Sequence, residues 1–122
     1  MNTRGLKQIA ERELKKMIGR LPAELCSSLD EVAVILEVKP DPRRSDSDLE
    51  EDTLGVFIGS SIRENGNGAP LPPRIILFLE NIREEGRESG RGFRGELRRT
   101  FLHELGHYLG LEEEDLAVRD VD

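Results

Sequence analysis

The sequence HELGHYLGLEEED, residues 103–115, decides how the rest of this 122-residue chain is interpreted. It contains the only two histidines of the protein, His103 and His107, which are separated by four positions. On an α-helix this separation turns one side chain about 40° from the other, so both imidazoles lie on one face and can converge on one metal ion. Glu104 is turned about 100° from His103, where it can hydrogen-bond a water held by the ion. The spacing H-E-x-x-H therefore predicts two metal ligands and one general base.

The apolar residues of the same segment give an independent test of this helix. Six of them fall on an arc opposite the histidines: Leu97, Phe101, Leu102, Leu105, Tyr108 and Leu109. The pattern predicts a helix from about Arg94 to Leu109 whose apolar face packs on the core and whose histidines face a cleft. We expect Gly110 to end this helix in the left-handed conformation that glycine adopts readily.

A catalytic zinc site has three protein ligands and one open position, so a third ligand is needed. The acids directly after Gly110 are the candidates, because a reversal of the chain there would return them toward the two histidines. Glu113 is placed best for this role, and Asp115, Glu112 and Glu114 are the alternatives. The same acids would also suit the start of a solvated helix.

Apolar residues three and four positions apart predict an N-terminal helix from Leu6 to Leu21. β-Branched, apolar stretches predict the strands. The remaining predicted elements are a short helix in PAELCSSL (22–29), strands in EVAVILEV (31–38), LGVFI (54–58) and RIILFL (74–79), loops at 39–53, 59–73 and 84–92, and a last short helix in EEEDLAVRDV (112–121). This order predicts an α+β fold, and the length predicts one domain over residues 1–122.

Composition excludes several classes of function. The net charge of −7 argues against a nucleic-acid partner, which requires a basic surface. No apolar run approaches the roughly 20 residues that span a bilayer, and the charged N-terminus lacks the apolar stretch of a signal peptide. The single cysteine, Cys26, excludes an internal disulfide and is expected to be a partly buried thiol. We therefore expect a cytoplasmic protein with neither nucleic-acid nor membrane partners.

A hydrolytic site also needs a group that stabilises the oxyanion, and the sequence leaves this group open. The single tyrosine, Tyr108, lies in the apolar arc and is expected to be a core residue. Arginines are numerous just before the motif: Arg83, Arg87, Arg91, Arg94, Arg98 and Arg99. Glutamates alternate with them, so we expect a solvated, charge-compensated face from which any one arginine could serve as the electrophile.

The chain resembles the minimal-zincin family, small bacterial proteins assigned as zinc metallopeptidases with the pattern H-E-x-x-H-x-x-G-x-x-[DE]. The similar segments are LPAEL (21–25), LDEVAVILE (29–37), LGVFIG (54–59), LPPRIILFLENI (71–82) and ELRRTFLHELGHYLGLEEEDL (96–116). The resemblance implies a zincin-like α+β core: an N-terminal helix, a small mixed sheet of about three to four strands and a C-terminal active-site helix. By position it implies zinc ligation by His103, His107 and Glu113, with Glu104 as general base. The family most often has aspartate at the position of Glu113.

Two functions are compatible with these residues. The first is a zinc-dependent peptidase that acts on a peptide or protein substrate, whose backbone could pair with the edge of the strand LGVFI. The second is a zinc-binding module without turnover, which acts through a protein partner or in metal handling. Glu104 favours the peptidase, because a purely structural zinc site has no use for a base.

Overall fold

The computed structural model describes residues 2–41, 50–59 and 72–110. Within these ranges the elements in chain order are α1 (Thr3–Arg20), α2 (Ala23–Leu29), β1 (Ala33–Glu37), β2 (Gly55–Ile58), β3 (Arg74–Phe78), α3 (Leu79–Ser89) and α4 (Gly92–Tyr108). The chain is α+β, as predicted. The predicted helix over 112–121 lies outside the described residues, as do 42–49 and 60–71 of the two predicted loops. None of the described helices is both long enough and apolar enough to cross a membrane.

The three described strands form one mixed sheet in the order β1-β3-β2. β3 is the central strand, parallel to β1 and antiparallel to β2. Four of its five residues are buried: Ile75, Ile76, Leu77 and Phe78. Because both faces of β3 are covered, its sequence is continuously apolar instead of alternating. The unbroken apolar stretch RIILFL (74–79) predicts burial on both faces, and the structure confirms this for Ile75 to Phe78.

The core lies between the sheet and the helices. α1 contributes Leu6, Ala10 and Leu14, which are spaced by four and buried. The carboxamide oxygen of Asn2 accepts a hydrogen bond from the backbone N–H of Gly5 at 2.9 Å and so caps the first turn of α1. The predicted N-terminal helix is confirmed and begins earlier than expected.

The predicted loop at 84–92 is wrong, because α3 continues to Ser89. Leu79, Ile82 and Gly86 are spaced by three and four and are buried, which is the pattern of a helix packed on a core. On its exposed side the helix carries two ion pairs of i,i+3 spacing, Arg83–Glu80 at 3.6 Å and Arg87–Glu84 at 3.7 Å. Leu79 is the first residue of this helix and not, as predicted, the last residue of the strand. Gly86 helped to hide the helix, since glycine is a weak helix former.

Gly86 is required by the close packing of α3 against the start of α4. A Cβ atom at this position would lie 2.5 Å from the carbonyl oxygen of Gly92 and 2.6 Å from its carbonyl carbon. Both atoms belong to the backbone, so no side-chain rotation could relieve the contact. Gly90 then ends α3 in the left-handed conformation at φ 82°, and the chain turns directly into α4.

We predict that Gly86→Ala destabilises the protein by about 1–3 kcal/mol, because the methyl group forces the two helix backbones apart. Gly19→Ala is the matched control. Gly19 also lies in a helix, but nothing lies within 4 Å of a Cβ built there. It should stabilise the protein by a few tenths of a kcal/mol, up to about 1, through better helix propensity. Urea unfolding of both variants tests this, and equal stabilities would contradict the close contact.

Candidate metal centre

α4 has two chemically different faces, as the apolar pattern predicted. Leu97, Phe101, Leu105 and Tyr108 are buried in the core, and Leu102 and Leu109 pack against it while partly exposed. His103 and His107 are half-buried on the other side of the helix. The packing of the apolar side therefore fixes the direction in which the histidines point.

The end of α4 agrees with the role expected of Gly110. The helix ends at Tyr108, and Gly110 adopts φ 79°, in the left-handed region. Its backbone N–H donates to the carbonyl oxygen of His107 at 3.0 Å, which satisfies one of the last carbonyls of the helix. Gly110 is the last residue of this segment that the structure describes.

Three side chains form a group that could hold a metal ion: His103, Glu104 and His107. One donor atom from each lies within 4.8 Å of the other two. The two imidazole rings have their centroids 4.8 Å apart and are nearly perpendicular, at 83°. Glu104 is 9% exposed and is the most buried of the three residues.

This donor set fits zinc. Ligand atoms that lie about 2.0–2.2 Å from zinc in a tetrahedral site are about 3.4 Å from one another. The donor atoms of the described group lie within 4.8 Å of one another, which is of the same order. Imidazole nitrogen and carboxylate oxygen suit zinc, whereas magnesium and calcium prefer oxygen ligands alone.

A cavity of about 250 Å³ lies between α4 and the start of β2. Seven described residues line it: Leu54, Gly55, Glu96, Arg99, Thr100, His103 and Glu104. The predicted cleft is therefore present beside His103, whereas His107 is not among the described residues that line it. Gly55 lets β2 lie close to the helix, because a Cβ atom there would be 2.9 Å from Cγ2 of Thr100 and 3.2 Å from the carbonyl oxygen of Ile76.

Glu96 is a buried acid in this cavity that the sequence analysis did not single out. It is 3% exposed, and its Oε2 accepts hydrogen bonds from Oγ of Ser89 at 3.4 Å and from Nη1 of Arg91 at 3.3 Å. These bonds attach the turn between α3 and α4 to the body of α4. The signal in the sequence is the spacing by four of Glu96, Thr100 and Glu104, which places all three on one stripe of the helix.

The other residues singled out from the sequence occupy different places in the structure. Tyr108 is buried in the core as predicted, with its ring centroid 5.7 Å from that of Phe57. Burial raises the pKa of its phenol above the ordinary value, and the negative charge of Glu31 raises this pKa further. Sγ of Cys26 donates to the carbonyl oxygen of Ile18 at 3.0 Å, and Cys26 is the partly buried thiol that was expected.

Among the six arginines, Arg99 lines the described cavity. The predicted ligand Glu113 and its alternatives Glu112, Glu114 and Asp115 lie outside the described residues.

A small α+β domain that presents H-E-x-x-H from a helix to a cleft has the features of a metal-dependent hydrolase. A family model described as zincin-like metallopeptidase matches residues 29–121, which include all three strands, α3 and α4. The chain belongs to this family, as the sequence resemblance implied. A comparison with curated proteins finds no match.

We predict that His103→Ala and His107→Ala each weaken zinc binding by at least about 100-fold, since each removes a bond to the ion, whereas outer partners contribute about 10- to 100-fold. Arg98→Ala is the matched control, because this residue is exposed on the same helix and does not line the cavity. Elemental analysis after dialysis against a competing chelator gives the affinities. Retention of zinc by both histidine variants would exclude this centre.

Proposed function

We propose that the protein is a zinc-dependent peptidase in which Glu104 acts as general base. The observation that supports this most directly is the position of Glu104. Its buried carboxylate lies in one group with His103 and His107 and also faces the cavity. A closed structural site would have no cavity beside its ligands and no need for an acid there.

In this proposal His103, His107 and Glu113 hold the zinc. Zinc bound there would act as a Lewis acid. It would lower the pKa of its bound water toward about 7 and polarise the carbonyl group of the substrate. Glu113 follows Gly110 by three residues, and the left-handed conformation of Gly110 supports a return of the chain toward the histidines. Glutamate is one methylene longer than the aspartate usual in the family, and its carboxylate provides the same kind of oxygen donor.

Glu104 moves the protons of the reaction. Its carboxylate accepts a proton from the water that attacks the peptide carbonyl, and the same carboxyl group then gives a proton to the leaving amine nitrogen. Burial of Glu104 supports this role, because charge interactions are stronger where water is excluded.

A peptide or protein is the substrate that the cavity supports best. β2 lies at the edge of the described sheet and pairs with β3 on one side. Residues at its start, Leu54 and Gly55, also line the cavity. An extended peptide could hydrogen-bond to the outer backbone of β2 and so lie across the donor group. The unpaired thiol of Cys26 supports a cytoplasmic peptidase.

We predict that Glu104→Gln lowers peptide hydrolysis by about 10²–10⁴-fold while zinc content and melting temperature stay close to those of the parent. Glutamine keeps the volume and a hydrogen-bonding group but accepts no proton. A library of peptides, digested with parent and variant and read by mass spectrometry, measures the effect. Equal cleavage by the two proteins at equal zinc content would contradict the role of Glu104. Loss of zinc in Glu104→Gln, with no cleavage by the parent, would favour the non-catalytic zinc-binding module.

We also predict that Glu113→Ala weakens zinc binding far more than Glu112→Ala or Glu114→Ala, because only a ligand loses a bond to the ion. The two neighbouring acids are matched controls that remove the same charge from the same segment. Chelator competition measures all three affinities. A large effect of Asp115→Ala alone would assign the third ligand to that residue instead.

A further inference from the structure

Leu54 is a wall between two cavities. It lines the cavity that contains His103 and Glu104, and it also lines a second cavity of about 280 Å³ together with Asn81. β2 begins only at Gly55, so Leu54 and the residues before it lie outside the ladder that pairs β2 with β3. The position of this wall therefore depends on contacts other than those of the sheet ladder.

Asn81 holds the turn that leads into this wall. Its Nδ2 donates to the carbonyl oxygen of Glu51 at 2.7 Å and to that of Thr53 at 2.9 Å. Both partners are carbonyl oxygens, which accept hydrogen bonds but donate none, so the nitrogen of the carboxamide has to face them. The N–H of Thr53 also donates to the carbonyl oxygen of Glu50 at 3.2 Å, which closes the turn. One side chain thus binds the carbonyl groups on both sides of Asp52.

The backbone of Asn81 is itself fixed. Asn81 is the third residue of α3 and lies between Leu79 and Ile82, which are both fully buried in the core. The N–H of the preceding residue, Glu80, donates to the carbonyl oxygen of Val38 at 3.1 Å and joins the start of α3 to the end of β1. The carboxamide therefore connects the turn to the packed core of the domain.

We propose that Asn81 is a positioning residue for substrate binding, which acts by holding Leu54 and Gly55 where a peptide in the cavity meets them. A wall that is already ordered binds a peptide more tightly, because less conformational freedom is lost on binding. Asn81 is not among the described residues that line the cavity with His103 and Glu104, so it acts through the wall and touches no reacting atom. The inference rests on the proposed peptidase function.

The first test needs no substrate. Hydrogen exchange of the backbone amides is compared in the parent and in Asn81→Ala. The amides to follow are those of Thr53 and Phe78, since the N–H of Phe78 donates to the carbonyl oxygen of Leu54 at 2.9 Å. We expect their exchange to rise by about 10- to 100-fold, because two hydrogen bonds of the wall are lost, while the amides of α1 stay unchanged. Unchanged exchange at both positions would overturn the proposal.

Two further variants separate the hydrogen bonds of Asn81 from a general loss of stability. In Asn2→Ala another structural carboxamide is lost, because Oδ1 of Asn2 accepts from the N–H of Gly5 at the start of α1. This variant should leave the exchange of Thr53 and Phe78 unchanged. In Asn81→Asp the side chain keeps nearly the same volume but donates no hydrogen bond, so its exchange should match that of Asn81→Ala. Exchange as slow as in the parent would contradict the role of the two bonds.

The second test measures the effect on substrate. Peptides that the parent cuts are digested with the zinc-loaded parent, Asn81→Ala and Asn2→Ala. We expect Asn81→Ala to raise KM by about 10-fold and to leave kcat within about 2-fold, because a wall contact stabilises the bound substrate and the transition state equally. Asn2→Ala should change neither constant. Inhibition by acetohydroxamate, which binds a metal ion but carries no peptide chain, should be equal in all three proteins.

These measurements distinguish the inference from the proposed function. If the parent and Asn81→Ala cut peptides with equal KM, or if Asn2→Ala raises KM as much, the peptidase stands and the positioning role is overturned. A fall in kcat together with weaker inhibition by acetohydroxamate would show a disturbed metal centre and would also overturn it. If the exchange of Thr53 and Phe78 rises as expected but the parent cuts no peptide, the hydrogen bonds of Asn81 stand, and its role in substrate binding fails together with the peptidase function.

Discussion

The burial of one face of α4 is the constraint on which the rest of the site depends. Leu97, Phe101 and Leu105 are almost completely removed from solvent, and each such side chain contributes about 1.5–3 kcal/mol relative to exposure. A rotation of the helix by one residue, about 100°, would remove these contacts and bury an imidazole in their place. The hydrophobic effect thus sets the orientation of His103 and His107, although neither belongs to the core.

Close approaches at glycines then set the shape of the cleft. Gly86 allows α3 to touch the start of α4, and Gly55 allows β2 to lie against its middle. Between these contacts the buried carboxylate of Glu96 is bonded to Ser89 and Arg91 on the turn that joins the two helices. A buried acid without such partners would cost several kcal/mol, so this turn and the acid depend on each other. Of these residues, Gly55 and Glu96 line the cavity itself.

The sequence predicted most reliably those features whose pattern is local and repeated. Local sequence patterns predict three of these features. They are the periodic apolar residues of α1 and α4, the continuous burial of β3 and the left-handed conformation of Gly110. α3 was missed because its helical period is carried by few apolar residues among many charges and includes Gly86. The order of the strands and the contact of Gly55 with Thr100 depend on residues far apart in the sequence, so no local pattern could reveal them. The third ligand remains a prediction from the segment after Gly110.

α4 carries residues with different roles on its different faces. The stripe of Glu96, Thr100 and Glu104, which are spaced four residues apart, lines the cavity beside the start of β2, and His103 and His107 lie on the adjacent side of the same helix. A single helix therefore presents two candidate metal donors and a proposed base, while its opposite face stabilises the fold.

The ligands of the ion can be tested most directly by zinc K-edge X-ray absorption on the zinc-loaded protein. If His103, His107 and a carboxylate bind the ion, the spectrum should show nitrogen and oxygen atoms at about 2.0–2.1 Å, together with the outer scattering of two imidazole rings. A sulfur atom at about 2.3 Å would place the ion at Cys26, and the absence of imidazole scattering would separate the ion from α4. Either result would contradict the metal centre described above.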